Sequence, residues 1–139
     1  LMIYNEIIQK EYLVVLEDTQ DGYSTFIPQV DGCVSYGDDI SEAIANTVEA
    51  LTLHLSGYIE DKTNIPTQNI EEAKKQFPNE MGMLIHPDKF LLSKLLKTKQ
   101  KRINITINEN ILELCDKKAK QRGTSRSALI ENALIETIG

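Results

Sequence analysis

The chain has 139 residues, 41% hydrophobic and 26% charged, with a formal net charge of −6, the composition of a soluble globular protein of one domain, or of one domain plus a small module. No apolar run approaches the roughly 20 residues that span a bilayer, and residues 1–4 give way at once to Asn5 and Glu6, so neither a membrane segment nor a signal peptide is expected. The charge is divided: residues 1–93 hold 5 Lys/Arg against 16 Asp/Glu, a net of −11, and residues 94–139 hold 10 against 5, a net of +5, which suggests two parts with oppositely charged partners.

In chain order, residues 3–8 either lengthen a first strand or form their own, and the pattern leaves both open. Residues 12–16 are a β-rich run. Residues 17–22 are turn-rich and close on Asp21 and Gly22, a strong hairpin signal. Residues 23–27 predict a second strand, stopped by Pro28. Asp31 and Gly32 mark another turn, and residues 33–36 a short third strand. The expected product is an antiparallel meander.

Gly37, Asp38 and Asp39 then announce a helix, with Asp39 as the cap and Glu42 closing a capping box. Ile44, Val48, Leu51, Leu55 and Tyr58 form one apolar stripe along it, suited to covering one face of the sheet. Residues 61–80 read as a polar surface loop with room for one helical turn, and residues 81–86 as a fourth strand. Pro87 and Asp88 open a short helix carrying Phe90, Leu91, Leu92, Leu95 and Leu96. Residues 97–100 read as a basic linker separating a domain at 1–96 from one at 101–139.

The stretch most informative about function follows the linker. Ile103, Ile105 and Ile107 alternate with Arg102, Asn104 and Thr106, the period of a strand with one apolar and one polar face. Only helical patterns follow it, so its simplest partner is the same strand of a second copy. A two-stranded ribbon fits the major groove of DNA, where Arg reads guanine, Asn reads adenine and Thr touches a polar edge or a methyl. A solvated edge strand is the plainer alternative. Asn108 can cap a helix whose inner face carries Ile111, Leu112, Cys115 and Ala119, with Leu114 beside them, and Gly123 ends it. Ser125 caps a second helix with Leu129, Ile130, Ala133, Leu134 and Ile138 apolar. One strand and two helices are too small to bury a sufficient core alone, and dimerisation through the ribbon would supply the rest.

On Arg-Ile-Asn-Ile-Thr-Ile at 102–107 and Gly-Thr-Ser-Arg-Ser-Ala-Leu-Ile at 123–130, residues 101–139 resemble a ribbon-helix-helix DNA-binding domain. The resemblance implies that Arg102, Asn104 and Thr106 enter the groove. It also implies a DNA phosphate at the start of the second helix, where Ser125, Arg126 and Ser127 stand and free backbone N–H groups point outward; Lys101 adds a phosphate-attracting charge. Ala128 replaces a Glu that closes a capping box in many relatives.

The amino-terminal part resembles the HicB antitoxin family on Asp21-Gly22-Tyr23, Phe26-Ile27-Pro28, Asp31-Gly32-Cys33, Gly37-Asp38, Glu42-Ala43 and Glu49-Ala50-Leu51. Gln29 departs from the family pattern, which has an Asp there. The resemblance implies a degenerate RNase H-like α+β domain that covers a HicA toxin, a small mRNA-cleaving protein.

Asp18, Asp21, Asp31, Asp38 and Asp39 are the candidates for a metal site of RNase H type, but most lie in turns, where Asp serves local backbone hydrogen bonds. His54 and His86 have no Cys, Ser or acid at a telling spacing, and Cys33 and Cys115 read as reduced, buried thiols in a cytoplasmic protein. No catalytic residue, metal or cofactor is therefore expected. The resulting expectation is an α+β antitoxin of a type II toxin–antitoxin system. It would neutralise a HicA-like toxin, form a homodimer through the ribbon (with pairing of dimers into tetramers left open), and repress its own operon at a palindromic operator. The competing readings are an RNase H-like nucleic-acid hydrolase with a DNA-tethering tail, and a transcriptional repressor whose first domain senses a small ligand.

Overall fold

A computed structural model describes residues 2–96 and 100–138, with the backbone alone for residues 2 and 3. The chain divides into two compact units, Leu1–Leu96 and Lys97–Gly139. Most of the expected linker, residues 97–99, lies outside the described residues.

The first unit runs α1 (Met2–Ile8), β1 (Tyr12–Thr19), β2 (Gly22–Phe26), β3 (Val34–Gly37), α2 (Ile40–Glu60), α3 (Ile70–Gln76), β4 (Met81–Ile85) and α4 (Lys89–Leu95). Its four strands form one sheet in the order β3-β2-β1-β4, with every pairing antiparallel. Strand β1 is central, and Tyr12, Leu13, Val14, Val15 and Leu16 are all buried. An unbroken apolar run of this kind belongs to a strand covered on both faces. Tyr12, Val14 and Leu16 join Leu51 and Leu55 of α2, Ile85, Leu92, Ile7 and Ile8 in one core. Leu13 and Val15 point to the opposite face. There Phe26, the cross-strand partner of Val15, meets Phe77 edge-on with ring centroids 5.2 Å apart.

The meander forms as expected, but its first turn is tighter. Strand β1 continues to Thr19, which pairs with Gly22, leaving only Gln20 and Asp21 in the turn. The Thr19 hydroxyl donates to the Gly22 carbonyl at 2.9 Å and the Tyr36 hydroxyl to the Asp21 carbonyl at 2.7 Å. Gly37 sits where a Cβ would collide with the backbone of Ala43, which lets β3 lie against the first turn of α2.

The β2 register also explains the loop before α3. Continuing the ladder would set Pro28 opposite Leu13, and proline has no N–H to offer. The Gln68 carboxamide takes that place: its oxygen accepts from the Leu13 N–H, and its nitrogen donates to the Leu13 carbonyl at 3.5 Å. A side chain 55 residues away thus completes the ladder of a buried strand.

Helix α2 is capped by Asp39, whose carboxylate accepts from the Glu42 N–H at 2.8 Å. Of the expected stripe, Leu51 and Leu55 are fully buried, while Ile44, Val48 and Tyr58 are only partly so. The deepest face also holds Ala43, Thr47, Thr52 and Ser56. Its hydroxyls are satisfied, as buried polar groups must be. Thr47 donates to the Ala43 carbonyl and meets the Thr25 hydroxyl, both at 2.5 Å. Thr52 donates to the Val48 carbonyl at 2.7 Å and accepts from the Asp88 N–H at 2.9 Å, joining the start of α4 to α2.

Two local expectations are corrected. Residues 3–8 are helical, not a strand: Ile7 and Ile8 are both buried, and the Tyr4 hydroxyl donates to the Lys89 carbonyl at 2.7 Å. Spacings of three and four on one face are helical, and adjacent buried residues break a two-residue alternation. The loop at 61–80 contains α3, two turns long. Asn69 caps it by accepting from the Glu72 N–H at 3.1 Å, and its acids come first and its lysines last, complementing the helix dipole.

The second unit contains α5 (Glu109–Gln121) and α6 (Arg126–Ile138) and, among the described residues, no strand. No helix is long and apolar enough to cross a membrane among the described residues.

Candidate functional site

Residues 101–108 carry the expected alternation but no ladder within the single chain. Lys101, Arg102, Asn104 and Thr106 are exposed. So are the residues expected to be buried: Ile103, Ile105 and Ile107 are 68%, 61% and 38% exposed. A strand's N–H and C=O groups need a second strand, and the described part of this chain supplies none here.

The helices that follow are specified locally. The Asn108 side chain accepts from the N–H groups of Asn110 at 2.9 Å and Ile111 at 3.3 Å, starting α5. At its other end Gly123 has a φ of +65°, a left-handed value that glycine adopts without strain. The Thr124 N–H donates to the Ala119 carbonyl at 2.9 Å and the Gly123 N–H to the Lys120 carbonyl at 3.2 Å, a Schellman ending. The Ser125 hydroxyl accepts from the Ala128 N–H at 3.0 Å and starts α6. The missing Glu at position 128 therefore leaves half of the capping box in place.

On α5 only Ala119 is buried; Leu112 and Cys115 are half-buried, and Ile111 and Leu114 are exposed. Cys115 is thus not the buried thiol expected, because α6 covers one strip of α5 and leaves its neighbour open. Ile111, Leu114, Cys115, Lys117, Lys118 and Gln121 line a shallow groove there. On α6, Leu129, Ile130 and Ile135 are half-buried, whereas Ala133, Leu134 and Ile138 are exposed.

Of the expected phosphate-binding residues, Ser125 and Ser127 are exposed at the start of α6. Arg126 is different: its Nε and Nη2 donate to the two carboxylate oxygens of Asp116 on α5, each at 2.7 Å. Nothing in the sequence pattern signalled this pair, since the residues are 10 apart and on different helices. The Arg126 hydrogen bond holds the Asp116 carboxyl below its ordinary range, and the same bond raises the guanidinium. Among the described residues, no hydrogen bond or ion pair links residues 101–106 with residues 125–127.

In the first unit the acids do not converge. Asp18 lies in β1, Asp21 in the hairpin turn, Asp31 beside Gly32 and Asp39 at the α2 cap. Among the described residues no three His, Cys, Asp or Glu side chains form a group that could hold a metal ion. The His54 Nδ1 lies 2.8 Å from the Ala50 carbonyl of its own helix. The His86 Nδ1 lies 3.1 Å from the Lys10 carbonyl, with its Nε2 3.7 Å from Glu11. Cys33 is buried, and burial pushes its thiol up to about 11.

A family model described as the HicB-like antitoxin of bacterial toxin–antitoxin systems matches residues 12–134. The chain belongs to the HicB-like antitoxin family. Family membership spans both units, since the matched segment ends within α6. An uncharacterized 14.9 kDa protein from the rep–hol intergenic region of Haemophilus phage HP1 is 32% identical over 130 residues, covering 89% of this chain and 97% of the phage protein. A UPF0150 protein of Synechocystis is 38% identical over 60 residues, covering 42% of this chain and 76% of that protein. Among solved structures, the Burkholderia pseudomallei antitoxin HicB matches at a TM-score of 0.52 and 26% identity, over 94% of this chain and 100% of that one. That coverage is more than the first unit could supply alone.

Proposed function

We propose that this HicB-like antitoxin divides its work between its two units. The first, a degenerate RNase H-like domain, binds and covers a HicA-like mRNA-cleaving toxin. The second pairs with a second copy through residues 102–107 as a ribbon-helix-helix module, binds a palindromic operator and represses its own operon. The observation that carries this reading is the unpaired segment at 102–107. In it three exposed isoleucines alternate with exposed Arg102, Asn104 and Thr106, and two capped helices with open apolar strips follow it. A two-fold pairing would cover the isoleucines and leave the polar residues side by side for base edges. The net of −11 over residues 1–93 supports a basic protein partner for the first unit, since it repels phosphate.

The full-length chain should rescue cells from the growth arrest caused by a toxin encoded beside it, and should shift a duplex carrying the DNA upstream of its own coding region. Rescue without a shift would remove the repressor half of the proposal; a shift without rescue would remove the antitoxin half. The acids have no catalytic part in this reading. RNA or DNA cleavage with Mg²⁺ that disappears in Asp21→Asn or Asp38→Asn would replace it with the hydrolase.

A further inference from the structure

We infer that Arg126 is a positioning residue of the second unit: with Asp116 it fixes the start of α6 against α5. This rests on the DNA-binding reading for its functional consequence, though not for its structural one. The guanidinium meets the carboxylate through two parallel hydrogen bonds of 2.7 Å, from Nε to Oδ1 and from Nη2 to Oδ2. Such a fork constrains angle as well as distance, which a single contact does not. It joins the middle of α5 to the first residue of α6, across the turn at Gly123.

The bonds from Thr124 and Gly123 back to Ala119 and Lys120 set how the chain leaves α5. They leave open how α6 is rotated about its own axis, and the fork fixes that rotation. The charges agree with this role. A cation in the first turn of a helix opposes the helix dipole, and the Asp116 carboxylate offsets it. The anion-attracting element at this end is then the set of backbone N–H groups that follow Ser125, aimed by the fork. One edge of the guanidinium, Nε and Nη2, faces Asp116, and a phosphate that used this edge would displace the carboxylate.

The two roles predict opposite signs for one substitution. An Arg126 that binds phosphate through its Nε and Nη2 competes with Asp116, so Asp116→Ala should free it and tighten DNA binding. A positioning Arg126 needs Asp116, so Asp116→Ala should weaken binding as much as Arg126→Ala does.

Full-length protein would be titrated by fluorescence anisotropy against the upstream duplex across a salt series. The expected result is an equal loss for the two single variants, roughly 1.5- to fivefold, the scale of an exposed ion pair. The slope of log affinity on log salt should stay at the wild-type value, and the charge-swapped Asp116→Arg/Arg126→Asp protein should recover most of the affinity. Tighter binding by Asp116→Ala, a slope reduced by about one in Arg126→Ala, or a swap that rescues nothing would each overturn the inference.

Amide spectra of the DNA-free protein separate its failure from that of the DNA-binding reading. Asp116→Ala and Arg126→Ala should shift the same resonances at residues 125–129. If those resonances do not move in Asp116→Ala, the fork positions nothing, whether or not the protein binds DNA. If they move together but the wild type ignores the duplex, the DNA-binding reading falls and the positioning role stands.

Discussion

Strand β1 and the segment at 102–107 are both β-patterned with several apolar residues, and they end in opposite conditions. Tyr12, Leu13, Val14, Val15 and Leu16 are all buried and all paired with β4, and Val15 and Leu16 pair with β2 as well. Ile103, Ile105 and Ile107 are exposed and unpaired, and of the helices behind them only Ala119 is buried among the described residues. The first unit closes its core within one chain. The second leaves most of its apolar residues exposed or half-buried among the described residues, an open face that the proposed pairing would cover. On the proposed function, a protein built this way would meet a toxin as a folded domain and make DNA binding conditional on self-association.

The substitution with the largest expected effect is Ile105→Lys. An unpartnered charge in the proposed dimer core costs several kcal/mol, more than a module of this size can absorb. Dimerisation and operator binding should be lost together while toxin rescue persists, as read by light scattering, gel shift and growth. A variant that still dimerises and binds would place the isoleucines outside the core. In the other unit, Leu55→Ala removes a fully buried side chain and should cost about 2–5 kcal/mol of stability. The corresponding thermal transition should fall without changing the protein's mass in solution. Loss of self-association in Leu55→Ala would show that the two units are not independent.

Smaller effects sharpen the contrast. Gln68→Ala leaves the Leu13 N–H and carbonyl without their partner and should destabilise the first unit by about 1–3 kcal/mol, measured by urea unfolding. Arg102→Ala should leave a folded dimer and cost about 1–3 kcal/mol of base discrimination per half-site, with weak, salt-sensitive binding retained. The mildest probe is alkylation of the native protein. Cys33 is buried with its thiol pushed up to about 11, and only the thiolate reacts, so Cys33 should label only as fast as the first unit opens. Half-buried Cys115 should label sooner; equal rates would mean that the two units open together.

Much of the fold was legible because it is local. The caps at Asp39, Asn108 and Ser125 and the ending at Gly123 each depend on residues within a few positions. The buried run of β1 and the meander follow from apolar patterning and turn chemistry in the same way. Residues 3–8 were ambiguous because six residues fit either period until the Lys89 carbonyl and the core take up Tyr4, Ile7 and Ile8.

The sequence by itself determined the two-unit charge division and the order of strands and helices in the meander and its cover. Only the tertiary structure decided that Gln68 completes β1 from 55 residues away, that Thr47 and Thr52 share the buried face of α2, and that Arg126 turns to Asp116. The physical reason is the same for all three. A hydrogen bond between distant residues depends on which groups folding leaves facing each other without water, and no local period in the chain encodes that.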